Sequence, residues 1–240
     1  SALFGQREPA VVATRISRSA PEKFVVTADQ VFGNERGKAD ESMVAEARSI
    51  LAGDRKASRN VQLFFEPVVV PDLNIAVFGA GHVGTAVVTT LSSLDCNIRW
   101  VDSRRNIFRG VPANARAIEA ADPALEVAAM PEGAFYLVMT HSHSLDFEIC
   151  DRILRRRDAR YCGLIGSLSK RRRFEKRYRQ QGMPPELLDA LTCPIGVDGI
   201  SGKKPAEIAV AAAAEVLRLY EQRSVVAYPE NVHPLNRERR

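Results

Sequence analysis

Cysteine is scarce: the 240 residues hold four, at positions 96, 150, 162 and 193, and no two form a CxxC pair. That scarcity excludes a disulfide-stapled small protein and leads us to expect a reduced, cytoplasmic setting. Long apolar runs are missing too. None approaches the roughly 18 residues needed to span a bilayer, so no membrane association is expected. The first residues, Ser1-Ala2-Leu3-Phe4-Gly5-Gln6-Arg7, lack the basic stretch followed by an apolar one that marks secretion. There is no internal repeat, no low-complexity tract and no HExxH. What remains is ordinary globular usage, 45% hydrophobic and 26% charged, enough to bury a sizeable core. The length suits one large domain or two small ones.

Acidic residues are locally sparse. Between Arg152 and Arg179 twelve Lys or Arg stand against two acids, Asp158 and Glu175, within a net charge of +5. Such a block suits an anionic ligand, an acidic partner protein or simply a solvated helix face. Zinc-finger spacing and RNP-type aromatic motifs do not accompany it, so no nucleic-acid partner is expected.

Two regions read differently. In residues 1–70, Ala10–Ile16 and Phe24–Thr27 are β-rich runs separated by Ser17-Arg18-Ser19-Ala20-Pro21. Met43, Val44, Ala47, Ile50 and Leu51 then recur at helical spacing over 40–52 and stop at Gly53. Val61–Phe65 reads as a further strand and Pro67–Pro71 as a linker. This predicts a small α+β domain with a modest core. In residues 71–240 strands alternate with helices. Strands are predicted at 75–78, 98–101, 135–140 and 161–165, and helices at 83–94 and about 146–156, with an Ala-rich stretch between. From Ser167 the chain reads as mostly helical: a basic helix to Gln181, a short one after Pro184, and a long one from Pro205 to Arg223. The predicted fold class is therefore α/β, a Rossmann-like parallel sheet domain preceded by a small α+β N-terminal domain.

The sharpest local signal is Gly79-Ala80-Gly81-His82-Val83-Gly84, which follows a predicted strand and opens a predicted helix. Asp102 closes the next strand. In such a fingerprint Gly79 permits the tight turn, Gly81 lets backbone approach a pyrophosphate, and Gly84 allows close helix packing. The free amides and dipole of the helix start then face the anion. Asp102 suits a ribose hydroxyl, while Arg104 or Arg105 suits a 2′-phosphate. Ligands in open parallel sheets gather beyond the carboxyl ends of the strands, which brings in Thr140–Ser144 and Gly166–Ser169. His141 and His143 offer ligand contact or proton transfer, or are simply hydrogen-bonded loop residues, and two histidines do not complete a zinc site. The segment Gly196–Lys204 superficially resembles a phosphate-binding P-loop. It is one residue too long and carries Lys204 where Ser or Thr should bind magnesium. A glycine-rich loop with Lys203 near a helix start still suits an anion, or is a plain loop with Pro205 in the first helical turn. Cys193 could serve as a soft ligand or a sulfur carrier, but reads better as a buried, inert thiol, since nothing nearby in the sequence lowers its pKa.

Together these segments resemble the xanthine dehydrogenase accessory proteins of the XdhC/CoxI type, most closely their proteobacterial branch. The resemblance is carried by Val77–Gly84, Trp100–Arg104, Phe135–Cys150, Gly163–Ser167, Lys170–Phe174, Leu191–Ile195 and Gly199–Lys203, and it covers about residues 61–221. It implies a molybdenum-cofactor chaperone that holds molybdopterin, protects it while a cysteine desulfurase installs its sulfido ligand, and passes it to xanthine dehydrogenase. Cofactor-binding positions carried by the motifs are Gly79, Gly81, His82, Gly84, Asp102, Arg104, His141, Gly166, Ser167 and Lys203. No catalytic residue and no metal ligand is implied. The N-terminal third departs from the family pattern. Glu22 follows Ser19-Ala20-Pro21 where Arg is usual, Gly33-Asn34-Glu35-Arg36-Gly37-Lys38 replaces a triple glycine, and a Gly-Gln-Cys-Cys-Gly-Gly segment is absent before Val61.

A carrier needs a glycine turn for close approach, cations for a phosphate and no general base, which agrees with these residues. The alternative is an NAD(P)-dependent oxidoreductase on the same turn, with Asp102 on the ribose and His141 as proton donor. A third reading is an interaction-only protein whose ligand site has decayed. The marginal first domain makes a homodimer the expected assembly.

Overall fold

The computed structural model describes residues 9–16, 20–33, 39–54, 62–68 and 71–224. The predicted turn at Ser17–Ser19, most of the Gly33–Lys38 segment and Val61 lie outside them. The chain divides into two compact units, Ser1–Val70 and Pro71–Arg240.

In the first unit β1 (Ala10–Arg15), β2 (Glu22–Val26), β3 (Val31–Gly33) and β4 (Leu63–Val68) form an antiparallel sheet in the order β3-β2-β1-β4. Val11, Ala13, Phe24, Val26 and Phe65 point to one face, as the period of two demands, and cluster with Met43, Ala47 and Ile50 of α1 (Glu41–Leu51). Asp40 caps that helix, its carboxylate accepting from the Met43 amide at 2.8 Å. Strand β4 runs on through Pro67, a residue expected in a linker. An edge strand tolerates proline because its outer side donates to no neighbour.

The second unit is built on six parallel strands: β5 (Asn74–Phe78), β6 (Asn97–Asp102), β7 (Ala115–Glu119), β8 (Phe135–Val138), β9 (Tyr161–Leu164) and β10 (Leu191–Thr192). Their order is β10-β9-β8-β5-β6-β7. Strands β8 and β9 are buried along their whole length, as a sheet covered on both faces requires. On one face Ile75, Val77, Trp100 and Leu137 meet α2 (His82–Leu91) and α6 (Pro205–Ser224), which also pack on each other. On the other, Ala76, Phe78, Tyr136 and Val138 meet a 3-10 helix (Pro123–Ala129), α3 (His143–Arg156), α4 (Leu168–Gln180) and α5 (Pro185–Leu188). The Ala-rich stretch thus contains a strand and a short helix, and the region after Ser167 contains β10. Among the described residues no helix is long and apolar enough to cross a membrane.

Candidate functional site

Strand order reverses between β5 and β8: the chain leaves β5 for β6 on one side and later returns to β8 on the other. In this architecture the loops leaving two such strands diverge, and the ligand crevice is expected beyond their carboxyl ends. The turn Gly79–Gly84 leaves β5 into that crevice.

The turn is held from several directions. The Gly79 amide donates to the Val101 carbonyl at 2.8 Å, and the buried Trp100 indole donates to the Gly79 carbonyl at 3.0 Å. Gly79 has φ +116°, and a Cβ there would stand 2.3 Å from the Met139 carbonyl oxygen at the end of β8. No side chain fits. A Cβ on Gly84 would stand 1.9 Å from the Gly79 carbonyl oxygen, so the first turn of α2 is pressed against the loop that begins it. Gly81 differs from both. It is the cap residue of α2 in extended backbone, it supplies no side-chain cap, and a Cβ there would meet nothing within 4 Å. The first-turn amides of a helix have no intrahelical acceptor, and here none is provided by the cap. His82, the first residue of α2, is exposed.

Asp102 at the end of β6 is turned inward. Its carboxylate accepts from the Ala80 amide at 2.6 Å, from the Arg104 amide and Nε at 2.9 Å each, and from Arg104 Nη2 at 2.8 Å. Burial alone would raise this carboxyl, but the Arg104 side chain and the two amides outweigh it and bring it below the usual carboxylate range. Arg104, the partner, is raised above its ordinary value by the same contact.

A second group lies beyond β8 and β9. Thr140 follows β8, and its amide and hydroxyl donate to Asp146 Oδ1 at 2.9 and 2.7 Å. Lys170 of α4 donates to Asp146 Oδ2 at 2.6 Å and to the Ile165 carbonyl at 2.9 Å. Both charged side chains are buried, Asp146 fully, and neither was singled out as a site residue by sequence reasoning. Their signal was faint: 24 residues separate them, and a lysine in a run of arginines reads as surface. Gly166 and Ser167 join β9 to α4, with Ser167 as the cap residue of that helix and its hydroxyl accepting from the Lys170 amide at 3.4 Å. His141 is exposed in the loop after β8, and His143 Nδ1 lies 3.2 Å from Arg173 Nη2. Because Gly79 abuts Met139 and Thr140, the two groups adjoin. Lys203 is exposed ahead of α6, and no hydrogen bond or ion pair among the described residues joins it to either group.

The four cysteines are all buried. Burial pushes the Cys150 and Cys193 thiols up, away from thiolate. Among the described residues no three His, Cys, Asp or Glu side chains converge as a metal-binding group would.

The sheet order, the glycine turn and the acid that ends β6 coincide with a match to the family model of the XdhC Rossmann domain over residues 75–216, more than half of the chain. The chain belongs to the XdhC family. A relative, the uncharacterized protein YqeB of Escherichia coli (strain K12), is 26% identical over 147 residues, 60% of this chain and 27% of that protein. Among solved structures, that of a xanthine dehydrogenase from Bacillus halodurans aligns with a TM-score of 0.60 at 23% identity. The alignment covers 95% of this chain and 64% of that one, and the likeness is one of fold. The chain thus spans only part of the length of each of these proteins.

Proposed function

We propose that this XdhC-family chain is an accessory protein of xanthine dehydrogenase, a carrier that binds molybdenum cofactor, shields it during sulfuration by a cysteine desulfurase and hands it over. The observation that carries the reading is the uncapped start of α2 at the sheet's crossover point, with open space at Gly81. A molybdopterin phosphate fits what is present. The amides of the first turn would donate to an anion, Gly79 and Gly84 let the backbone fold tightly there without a side chain, and Arg104 adds a partly exposed cation. When bound, the cofactor supplies molybdenum redox chemistry, which the recipient enzyme uses. Gly166, Ser167 and His141, in the loops that follow β9 and β8, would orient the pterin. Lys170, neutralised by Asp146, fixes the loop that carries Gly166 rather than reacting.

Two features support a carrier over a catalyst. The buried thiols supply no nucleophile for sulfur transfer, which leaves that step to an external desulfurase. The donors free to meet an anion at the start of α2 are backbone amides, which would hold a phosphate without a covalent bond and so release it readily.

The test is retention of cofactor. Protein purified from molybdenum-replete cells is expected to co-elute with molybdenum and pterin on gel filtration and to activate apo xanthine dehydrogenase. Elution free of both, from cells whose molybdoenzymes are loaded, would refute the reading.

A further inference from the structure

Asp102 ends β6 where a dinucleotide-binding turn keeps an acid for the ribose. A carboxylate offers about four lone-pair sites. In this chain Oδ1 accepts from the amide and Nε of Arg104, and Oδ2 accepts from the Ala80 amide and Arg104 Nη2. All four sites are taken, and the side chain is only 2% exposed. A ribose diol would have to displace a two-point guanidinium–carboxylate contact, one of the stronger hydrogen-bonded pairs available to a protein.

We propose that the Asp102–Arg104 pair is a specificity device, closing the glycine crevice to dinucleotides that present a free ribose diol and keeping it for phosphorylated ligands with no diol at that place. The inference rests on the glycine turn being a ligand cradle. Arg104 suits the role of gate. Its side chain is 38% exposed, so it stands at the mouth rather than in the core. It offers donors and positive charge to a phosphate, and no acceptor to a hydroxyl. Truncation to alanine removes two of the four hydrogen bonds but leaves both backbone amides on the carboxylate, so the turn stays held while two acceptor sites are freed.

The experiment is a fluorescence titration of the full chain with NADH for wild type, Arg104→Ala and the Arg104→Ala/Asp102→Asn double variant. Thermal unfolding of each confirms that it is folded. The expected result is weak binding by wild type, a gain of about tenfold or more in Arg104→Ala, and loss of that gain in the double variant. Arg104→Lys, which keeps the charge without the two-point geometry, is expected to fall between wild type and Arg104→Ala. Equal NADH binding by wild type and Arg104→Ala, weak or strong, would overturn the inference, as would a gain that survives loss of the Asp102 charge. Neither result bears on molybdenum retention, so failure of the carrier reading and failure of this inference are told apart.

Discussion

An aspartate placed at Gly81 would do two things at once. Its backbone is already that of a helix cap, and its side chain meets no neighbour, so it would cap the first-turn amides of α2. Gly81→Asp is therefore expected to leave the unfolding midpoint unchanged or raise stability by a few tenths of a kcal/mol. If the start of α2 holds the proposed pterin phosphate, the same carboxylate would repel it and lower pterin affinity on the order of 100-fold. Pterin fluorescence titration beside urea unfolding checks both halves. Gly84→Ala should do the reverse, because its methyl collides with the Gly79 carbonyl; a loss of about 2–3 kcal/mol is expected in the same urea experiment. Asp102 makes the turn sensitive to acid. Its carboxyl is held below the usual range in the fold, whereas in the unfolded chain it titrates near about 3.9. The stability it confers is complete above that value and is lost as pH falls through the folded-state pKa. The stability gap between wild type and Asp102→Asn should stay constant from about pH 5 to 8 and shrink below about pH 4. A gap that also closed near neutrality would contradict the assignment.

At the scale of elements, the first turn of α3 and the start of α4 are joined by one buried ion pair, Asp146 with Lys170. Leaving one partner of such a pair alone is costly, while replacing both by apolar groups of similar volume is not. Lys170→Met is expected to lose about 3–5 kcal/mol and the Asp146→Leu/Lys170→Met double variant clearly less, in a urea-denaturation cycle. Additive losses would show that the pair is not coupled. This contact also marks where sequence reasoning stops. The turn Gly79–Gly84 with Asp102 is legible because its chemistry is local and its residue types are constrained by sterics. Strands β5, β8 and β9 are legible because strands covered on both faces are near-continuous apolar runs, and β6, interrupted by Arg99, is legible from Ile98, Trp100 and Val101 ahead of Asp102. Strand β7 is not, since its alternation of Ala115, Ala117 and Glu119 with Arg116 and Ile118 sits at the sheet edge with little to bury. Strand β10, two residues long, has no period to detect. Asp102 shows the same limit at the site: its position is readable from spacing, but its inward turn onto Ala80 and Arg104 depends on side-chain geometry that spacing does not encode.

For the whole molecule, the +5 net charge is distributed unevenly, and α4 carries much of it. Some of its cations are already engaged: Arg171 and Arg179 pair with Glu175, and Arg177 lies 4.0 Å over the Phe147 ring. Arg172 and Lys176, one helical turn apart, stand exposed with no side-chain partner among the described residues. Surface charge of this kind adds little to folding stability but steers association, through a field that salt screens within about 8–10 Å. A handover between carrier and recipient needs fast encounter and ready release, which long-range attraction supplies better than a large apolar contact. If an acidic surface of the recipient meets α4, the double reversal Arg172→Glu/Lys176→Glu should slow association about tenfold or more at low salt and leave dissociation nearly unchanged. Raising the salt should bring wild type and variant together, because the screened field no longer distinguishes them. Surface-plasmon kinetics with apo xanthine dehydrogenase at several ionic strengths would read both rates. An association rate insensitive to salt and to the reversal would move the docking face away from α4, while urea unfolding within about 0.5 kcal/mol of wild type would show that the fold itself was untouched.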